Sequence, residues 1–276
     1  MTTPAMDRPH LSASQLDSYC RCPEAYRRRY LEGDKIPPAI AMLRGTATHK
    51  AAAENFKQKI ETREDLPAND FVDIAVSSFD GELSRGFSLD PDEESVGPEK
   101  VTGTARDEVA DLAKFHIRHQ APDYQPVLVE ERIRLALPGS RDLVAVIDLA
   151  DDQQRVVDFK TSSKRKSQPE ADNSPQLTVY AAAYHALQGH APESVSLDVT
   201  VSGSKGVTRQ VLTSTRGADD FAVLARRIDV ISKSIEAGSF PPATPGAWWC
   251  SPKMCGYWNT CPYVNSQRAA LAQEGE

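Results

Sequence analysis

Apolar residues recur at two different periods along this chain, and the change of period divides it. Ser12-Ala13-Ser14-Gln15 has the Ser-x-x-Gln form of a helix capping box and precedes Leu16 and Tyr19 at helical spacing, so a helix should begin there. Pro23 opens a second short helix. From Arg44 to about Arg63 the chain is rich in Ala, Glu and Lys, a composition that favours a helix with His49 in its first turns. Residues 62–103 are punctuated by Pro67, Pro91, Gly97, Pro98 and Gly103 and carry many acids, and they read as a variable, partly helical cap or loop. Asp107 to about Gln120 is expected to be helical, with Val109, Leu112, Ala113 and Phe115 on one side.

Beyond Pro126 the period falls to two. Val127 to Leu137, Asp142 to Leu149 and Arg155 to Phe159 are short, rich in β-branched residues and separated by turn signals at Pro138-Gly139 and Asp151-Asp152, which predicts a strand meander. Pro175 to Leu187 reads as a helix with Pro in its first turn. Val195 to Val201 and Val207 to Leu212 read as two more strands, and Ala218 to Ala237 as an amphipathic helix. Pro241 to Tyr263, dense in Pro, Trp and Cys, cannot be regular for long. The order predicts an α/β fold in which a small mixed sheet is covered by helices. Its 276 residues fit a single domain, with about 62–125 as a helical or loop insertion and 241–263 as a Cys-rich segment.

Composition narrows the function classes. The longest apolar runs fall far short of the roughly 20 residues that cross a bilayer, and Met1 to His10 lacks the apolar stretch of a signal peptide, so no membrane partner and a cytoplasmic location are expected. The formal net charge of −7 argues against a general electrostatic grip on nucleic acid. Local clusters would have to supply it, and Arg27-Arg28-Arg29 and Lys164-Arg165-Lys166 are the candidates, although short charge runs are commonly solvated faces. Five cysteines in such a chain point to metal ligation before disulfides.

The informative stretch is Val146-Ile147-Asp148 followed by Asp158-Phe159-Lys160. Residues two apart on a strand share a face, so Asp158 and Lys160 project together while Val157 and Phe159 face a core. If the preceding strand is the hairpin neighbour, Asp148 lies beside them. Paired carboxylates attract a hard cation such as Mg²⁺ or Mn²⁺, and an adjacent lysine can position water and stabilise charge on a phosphate. By spacing alone, the same residues could equally form an ion pair on the outside of a hairpin.

Asp148 with Asp158-Phe159-Lys160-Thr161 resembles the PD-(D/E)XK nuclease superfamily, and its surroundings look like the RecB-type branch that includes Cas4-like exonucleases. Gly45-Thr46-Ala47-Thr48-His49 looks like that branch's Gly-x-x-x-His helix motif, Glu130 like the acidic residue opening its core hairpin, and Gln176-Leu177-Thr178-Val179-Tyr180 like its Gln-x-x-x-Tyr motif. Ala145 stands where the family often has Gly. The resemblance implies a restriction-endonuclease-like core. It also implies His49, Asp148, Asp158 and the Phe159 backbone carbonyl as metal ligands, Asp148, Asp158 and Lys160 as the catalytic set, and Glu130, Gln176 and Tyr180 as supporting or DNA-contacting residues.

Cys250, Cys255 and Cys261 lie within a short loop, and Cys22-Pro23 sits far upstream, so four thiols could complete a tetrahedral zinc site or an iron–sulfur cluster that staples the two ends of the fold. Cys20 competes with Cys22 for the fourth place, and the following Pro23 favours Cys22. The resemblance favours a 4Fe–4S cluster. The four-residue gap between Cys250 and Cys255, where relatives have Cys-x-x-Cys, keeps structural zinc open.

The reading that follows is a metal-dependent DNA exonuclease acting on single-stranded or free-ended DNA, by resemblance from the 5′ end, in recombination, repair or phage DNA metabolism. A spacer-processing nuclease of CRISPR adaptation shares the same chemistry. The resemblance also leaves room for a homo-oligomer and for recombination or CRISPR-adaptation partners. A catalytically silent DNA-binding scaffold is the contrasting class, and the intact set of His49, Asp148, Asp158 and Lys160 speaks against it.

Overall fold

The computed structural model describes residues 9–203 and 206–268. The period-two segments form one mixed sheet of β1 (His10–Ser12), β2 (Pro126–Leu135), β3 (Asp142–Asp151), β4 (Arg155–Ser162), β5 (Ser194–Gly203) and β6 (Gly206–Ser214). Strands β2, β3 and β4 are antiparallel in succession, β4 and β5 are parallel, and β6 returns antiparallel to β5.

β3 carries the irregularity that matters. β2 follows one edge of it, but the other edge is divided: β1 pairs in parallel at Asp142, Leu143 and Val144, and β4 pairs only at Leu149 and Ala150. Leu149 opposes Val157, so the next position along would set Asp148 against Asp158. There the two strands part, and a fork opens in the sheet.

Helices cover both faces. On one side Leu16 and Tyr19 of α1 (Ala13–Arg21), Leu177 and Ala181 of α8 (Pro175–Gln188), and Ile228 and Ile231 of α9 (Ala218–Glu236) pack against Ala145, Ile147, Val156 and Val199. On the other, Leu43, Ala47 and Phe56 of α3 (Ile40–Thr62), Phe71 and Phe79 of α4 (Ala68–Leu83) and Val109 of α6 (Pro98–His119) pack against Leu149, Val157 and Phe159. Each such large side chain contributes about 1.5–3 kcal/mol when fully buried. Short helices α2 (Pro23–Tyr26), α5 (Pro91–Val96) and α7 (Gln168–Asp172) complete the set, and a π-helical turn, Arg27–Leu31, continues α2.

The expected mixed sheet between helices is present, and the Ser12 capping box forms with both of its hydrogen bonds. Three details differ from the pattern in the sequence. Residues 62–103 are mostly helix, because Gly97 and Pro98, which read as loop punctuation, are the N-cap and first residue of α6, where proline's missing N–H costs nothing. That helix therefore starts at Pro98 rather than near Asp107. β1 and α7 are too short to show a period.

The Cys-rich tail is built of turns and lies on the N-terminal segment. Trp249 Nε1 donates to the Arg21 carbonyl (3.1 Å), Tyr257 OH to the Asp34 carbonyl (2.5 Å) and Tyr19 OH to the Ser239 carbonyl (2.6 Å). Gly256 sits so close to Ile36 that a Cβ would come within 2.6 Å of its Cγ2.

Candidate active site

The fork gathers polar side chains from five elements. Asp148 is reached from both sides of the sheet, because Ala145 and Ile147 before it belong to the α8-side core and Leu149 after it to the α3-side core. From α3, His49 Nδ1 lies 3.3 Å from Asp148 Oδ2. From α8, Tyr180 OH donates to Asp148 Oδ1 at 3.0 Å. The Phe159 amide donates to Asp148 Oδ2 at 3.3 Å.

Glu130 enters from β2. Val129 pairs with Leu149 and Glu131 with Ile147, so Glu130 stands across from Asp148. Its backbone has φ 50°, a left-handed conformation that non-glycine residues rarely adopt and that is held at a cost of about 1–3 kcal/mol. The result is that one ligand atom from each of His49, Glu130 and Asp148 falls within 4.8 Å of the others, which is compact enough for a single cation.

Asp158 and Lys160 do project to one face while Val157 and Phe159 enter the α3-side core. Lys160 Nζ donates to Asp158 Oδ1 (2.9 Å) and to Gln176 Oε1 (3.0 Å), and Gln176 Nε2 donates to Tyr180 OH (2.7 Å). A continuous chain of hydrogen bonds therefore runs from Asp158 through Lys160, Gln176 and Tyr180 to Asp148. Gln176 and Tyr180 lie one turn apart on α8, which is why both face this chain. Asp158 is 0 % exposed, and its Oδ2 is buried with no hydrogen-bond partner, so a carboxylate oxygen is left with an unmet demand for positive charge.

Electrostatics agree with that demand. Burial, then repulsion from Asp148, pushes the Asp158 carboxyl up to about 7, with Lys160 pulling the other way. Burial also raises Asp148 and Glu130 and lowers His49, which keeps the imidazole neutral and able to offer a lone pair. Carboxylate oxygens with one imidazole are a donor set suited to Mg²⁺ or Mn²⁺. The trio joins Glu130 to His49 and Asp148, whereas Asp158 stands beside it rather than within it. The family resemblance gave Glu130 only a supporting place; the signal that locates it is its cross-strand register with Asp148.

A cleft of about 750 Å³ opens onto Asp158, Lys160, Gln176 and Tyr180 between the start of α1, the loop carrying Lys166 and the start of α8. Lys164 and Arg165 are exposed on that same loop.

Cys22, Cys250, Cys255 and Cys261 line a separate cavity of about 270 Å³. Cys22 caps α2, its sulfur accepting from the Ala25 amide at 3.4 Å. Burial, together with the neighbouring cysteines, pushes the Cys250 and Cys255 thiols up. Among the described residues no three cysteine sulfurs fall within 4.8 Å of one another. Cys20 is exposed and lies instead against Tyr19 and α9.

No helix among the described residues is long and apolar enough to cross a membrane. A comparison with curated protein sequences finds no match. A structure from Eubacterium rectale, described as a candidate exonuclease, superposes with a TM-score of 0.52 over 94 % of this chain and 93 % of its own at 11 % identity, which is a likeness of fold. The structure of SSO0001 aligns over 95 % of this chain and 89 % of its own at 12 % identity, with a TM-score of 0.43. A comparison with protein families matches residues 10–262 to the PD-(D/E)XK nuclease superfamily.

Proposed function

Because the chain belongs to the PD-(D/E)XK nuclease superfamily, we propose that it is a Mg²⁺- or Mn²⁺-dependent deoxyribonuclease of the RecB type, an exonuclease acting on single-stranded or free-ended DNA from the 5′ end. The observation that carries the reading is the compact trio of His49, Glu130 and Asp148 beside the unpartnered, buried Oδ2 of Asp158.

His49, Glu130, Asp148 and Asp158 would hold the cation, with the Phe159 carbonyl adjacent. A bound divalent ion supplies Lewis acidity toward a phosphodiester and lowers the pKa of water at the site. The chain's own residues do the rest. Lys160, fixed between Asp158 and Gln176, presents its ammonium where charge builds on the phosphate, and because it is already oriented it stabilises that charge without reorganising. Tyr180 holds Asp148 in place through its hydroxyl. Lys164 and Arg165, exposed on the loop whose Lys166 lines the cleft, would supply positive charge for a polyanion that the net acidic chain would otherwise repel, whereas Lys166 is paired with Glu170.

The cysteine cavity suits a structural 4Fe–4S cluster better than zinc. Thiolates on a tetrahedral zinc at a Zn–S distance of about 2.3 Å stand about 3.8 Å apart, whereas no three sulfurs here gather even within 4.8 Å. The residues that hold it would be Cys22, Cys250, Cys255 and Cys261, tying the tail to α2.

Cleavage of labelled single-stranded and duplex DNA in Mn²⁺, with and without chelator, tests the assignment. Activity should need the metal and disappear in Lys160→Ala and Asp158→Ala variants that keep their circular dichroism. Cleavage retained by either variant, or unaffected by chelation, would refute it.

A further inference from the structure

Arg28 lies in the same cavity as the four cysteines, and its bonding is incomplete in one specific place. Its Nε donates to Asp34 Oδ2 at 3.1 Å, its Nη2 to Thr260 Oγ1 at 2.9 Å, and the guanidinium lies over the Tyr257 ring, 4.7 Å from the centroid. The remaining nitrogen, Nη1, is buried with no partner, although the side chain as a whole is only 15 % exposed. A buried N–H of a cation that meets no acceptor costs free energy, so such a group is expected to face a partner that completes it.

Among the described residues the wall of the cavity holds a single acid. This is Glu24, and both of its oxygens are taken by Arg27, at 2.8 Å each. The acid is thus neutralised, while the neighbouring arginine keeps a free donor. The π-helical turn places Arg28 here, since its wider winding shifts Arg28 relative to the phase that α2 would have given it. The Tyr257 ring and Thr260 belong to the tail that carries Cys255 and Cys261, so the guanidinium is oriented by the same segment that brings the thiols. Four thiolates around any metal centre leave surplus negative charge, and a charge-assisted N–H to sulfur is the contact that would offset it.

We propose that Arg28 donates a hydrogen bond through Nη1 to sulfur of the group bound by Cys22, Cys250, Cys255 and Cys261, and thereby sets the reduction potential and durability of that group. The inference rests on the cluster reading given above. Hydrogen bonds to the sulfurs and net charge are among the determinants of iron–sulfur potentials. Removing a cationic donor disfavours the more negative, reduced form, so the potential should fall.

The test uses the full chain purified anaerobically, with iron content, visible spectrum, dye-mediated redox titration and the rate of bleaching in air as readouts. Arg28→Gln should shift the one-electron equilibrium toward the oxidised form by roughly tenfold, about 59 mV for one electron, and should bleach faster. Arg28→Lys, which keeps the charge without the fork, should fall between it and the wild type. Thr260→Val, which removes the Nη2 contact and leaves Nη1 intact, should keep the wild-type potential. Iron-loaded Arg28→Gln or Arg28→Lys protein titrating at the wild-type potential would overturn the proposal, as would an equal shift in Thr260→Val. If Arg28→Gln does not retain iron, Arg28→Lys alone decides by the same criterion. Wild-type protein without iron would instead overturn the cluster reading, and Arg28 with it.

Discussion

The fork in the sheet and the cysteine cavity are both polar sites inside an otherwise apolar molecule, and they are held in opposite ways. At the fork the polar groups stand on strands and helices and hold one another: Asp158, Lys160, Gln176, Tyr180 and Asp148 are linked hydrogen bond by hydrogen bond. The cysteine cavity is walled by turns that reach the N-terminal segment through a few distant contacts, such as Trp249 to Arg21 and Tyr257 to Asp34. The first site is preorganised by the fold, so the cation proposed there would complete its chemistry. The second ties the tail to the N-terminal segment, so the group proposed there would contribute to stability. Mutations at the fork should therefore cost activity with little loss of structure, and mutations at the cavity the reverse.

The sharpest way to break this contrast is at the residues proposed to be catalytic. Lys160→Ala and Asp158→Ala should each lower the cleavage rate by roughly 10³-fold or more while thermal melting stays near that of the wild type. A variant that loses activity only because it unfolds would erase the distinction. Next in size, Tyr180→Phe and Gln176→Ala remove groups that orient Asp148 and Lys160 and should each cost roughly 10- to 100-fold in rate or in metal affinity, readable as a higher Mn²⁺ requirement. At the other site Cys255→Ser should lower the melting temperature by at least roughly 5 °C and bleach the protein, while any protein that stays folded keeps measurable Mn²⁺-dependent cleavage.

A smaller effect concerns pH. The folded-state pKa of Asp158, about 7, lies above its unfolded value of about 3.9. The folded protein therefore holds this proton more tightly than the unfolded chain. The stability it contributes is complete below the unfolded pKa and is lost as pH rises through about 7. In metal-free protein, Asp158→Asn should melt increasingly above the wild type between pH 4 and 7, and Mn²⁺ should reverse the order at neutral pH by stabilising only the carboxylate form. Melting curves in chelator and in Mn²⁺ would show it, and a difference that does not vary with pH would count against a buried, cation-seeking Asp158.

The two sites were also unequally legible in the sequence. The period of two placed Asp158 with Lys160 and sent Val157 and Phe159 to the core, because alternation along a strand is a local property. The spacing of Gln176 and Tyr180 on a helix was legible for the same reason. The place of Glu130 was not, since it depends on its register opposite Asp148 and on a left-handed φ that no propensity assigns to Glu. The helices α4 and α6 hid behind Pro67, Gly97 and Pro98, residues that end a pattern in sequence yet begin helices in space. At the cavity, Cys22 could be preferred to Cys20 from Pro23 and the aromatic and basic residues after it. Arg28 read only as one of three basic residues, because its unmatched donor exists only once the tail has folded over it.

The central claim is that the fork holds a divalent cation between His49, Glu130, Asp148 and Asp158. Mn²⁺ titration of metal-free protein followed by electron paramagnetic resonance tests it most directly. Wild-type protein should remove free Mn²⁺ from solution, Asp148→Ala should bind none at that site, and Glu130→Ala should bind more weakly than the wild type. Equal binding by wild type and Asp148→Ala would contradict the account.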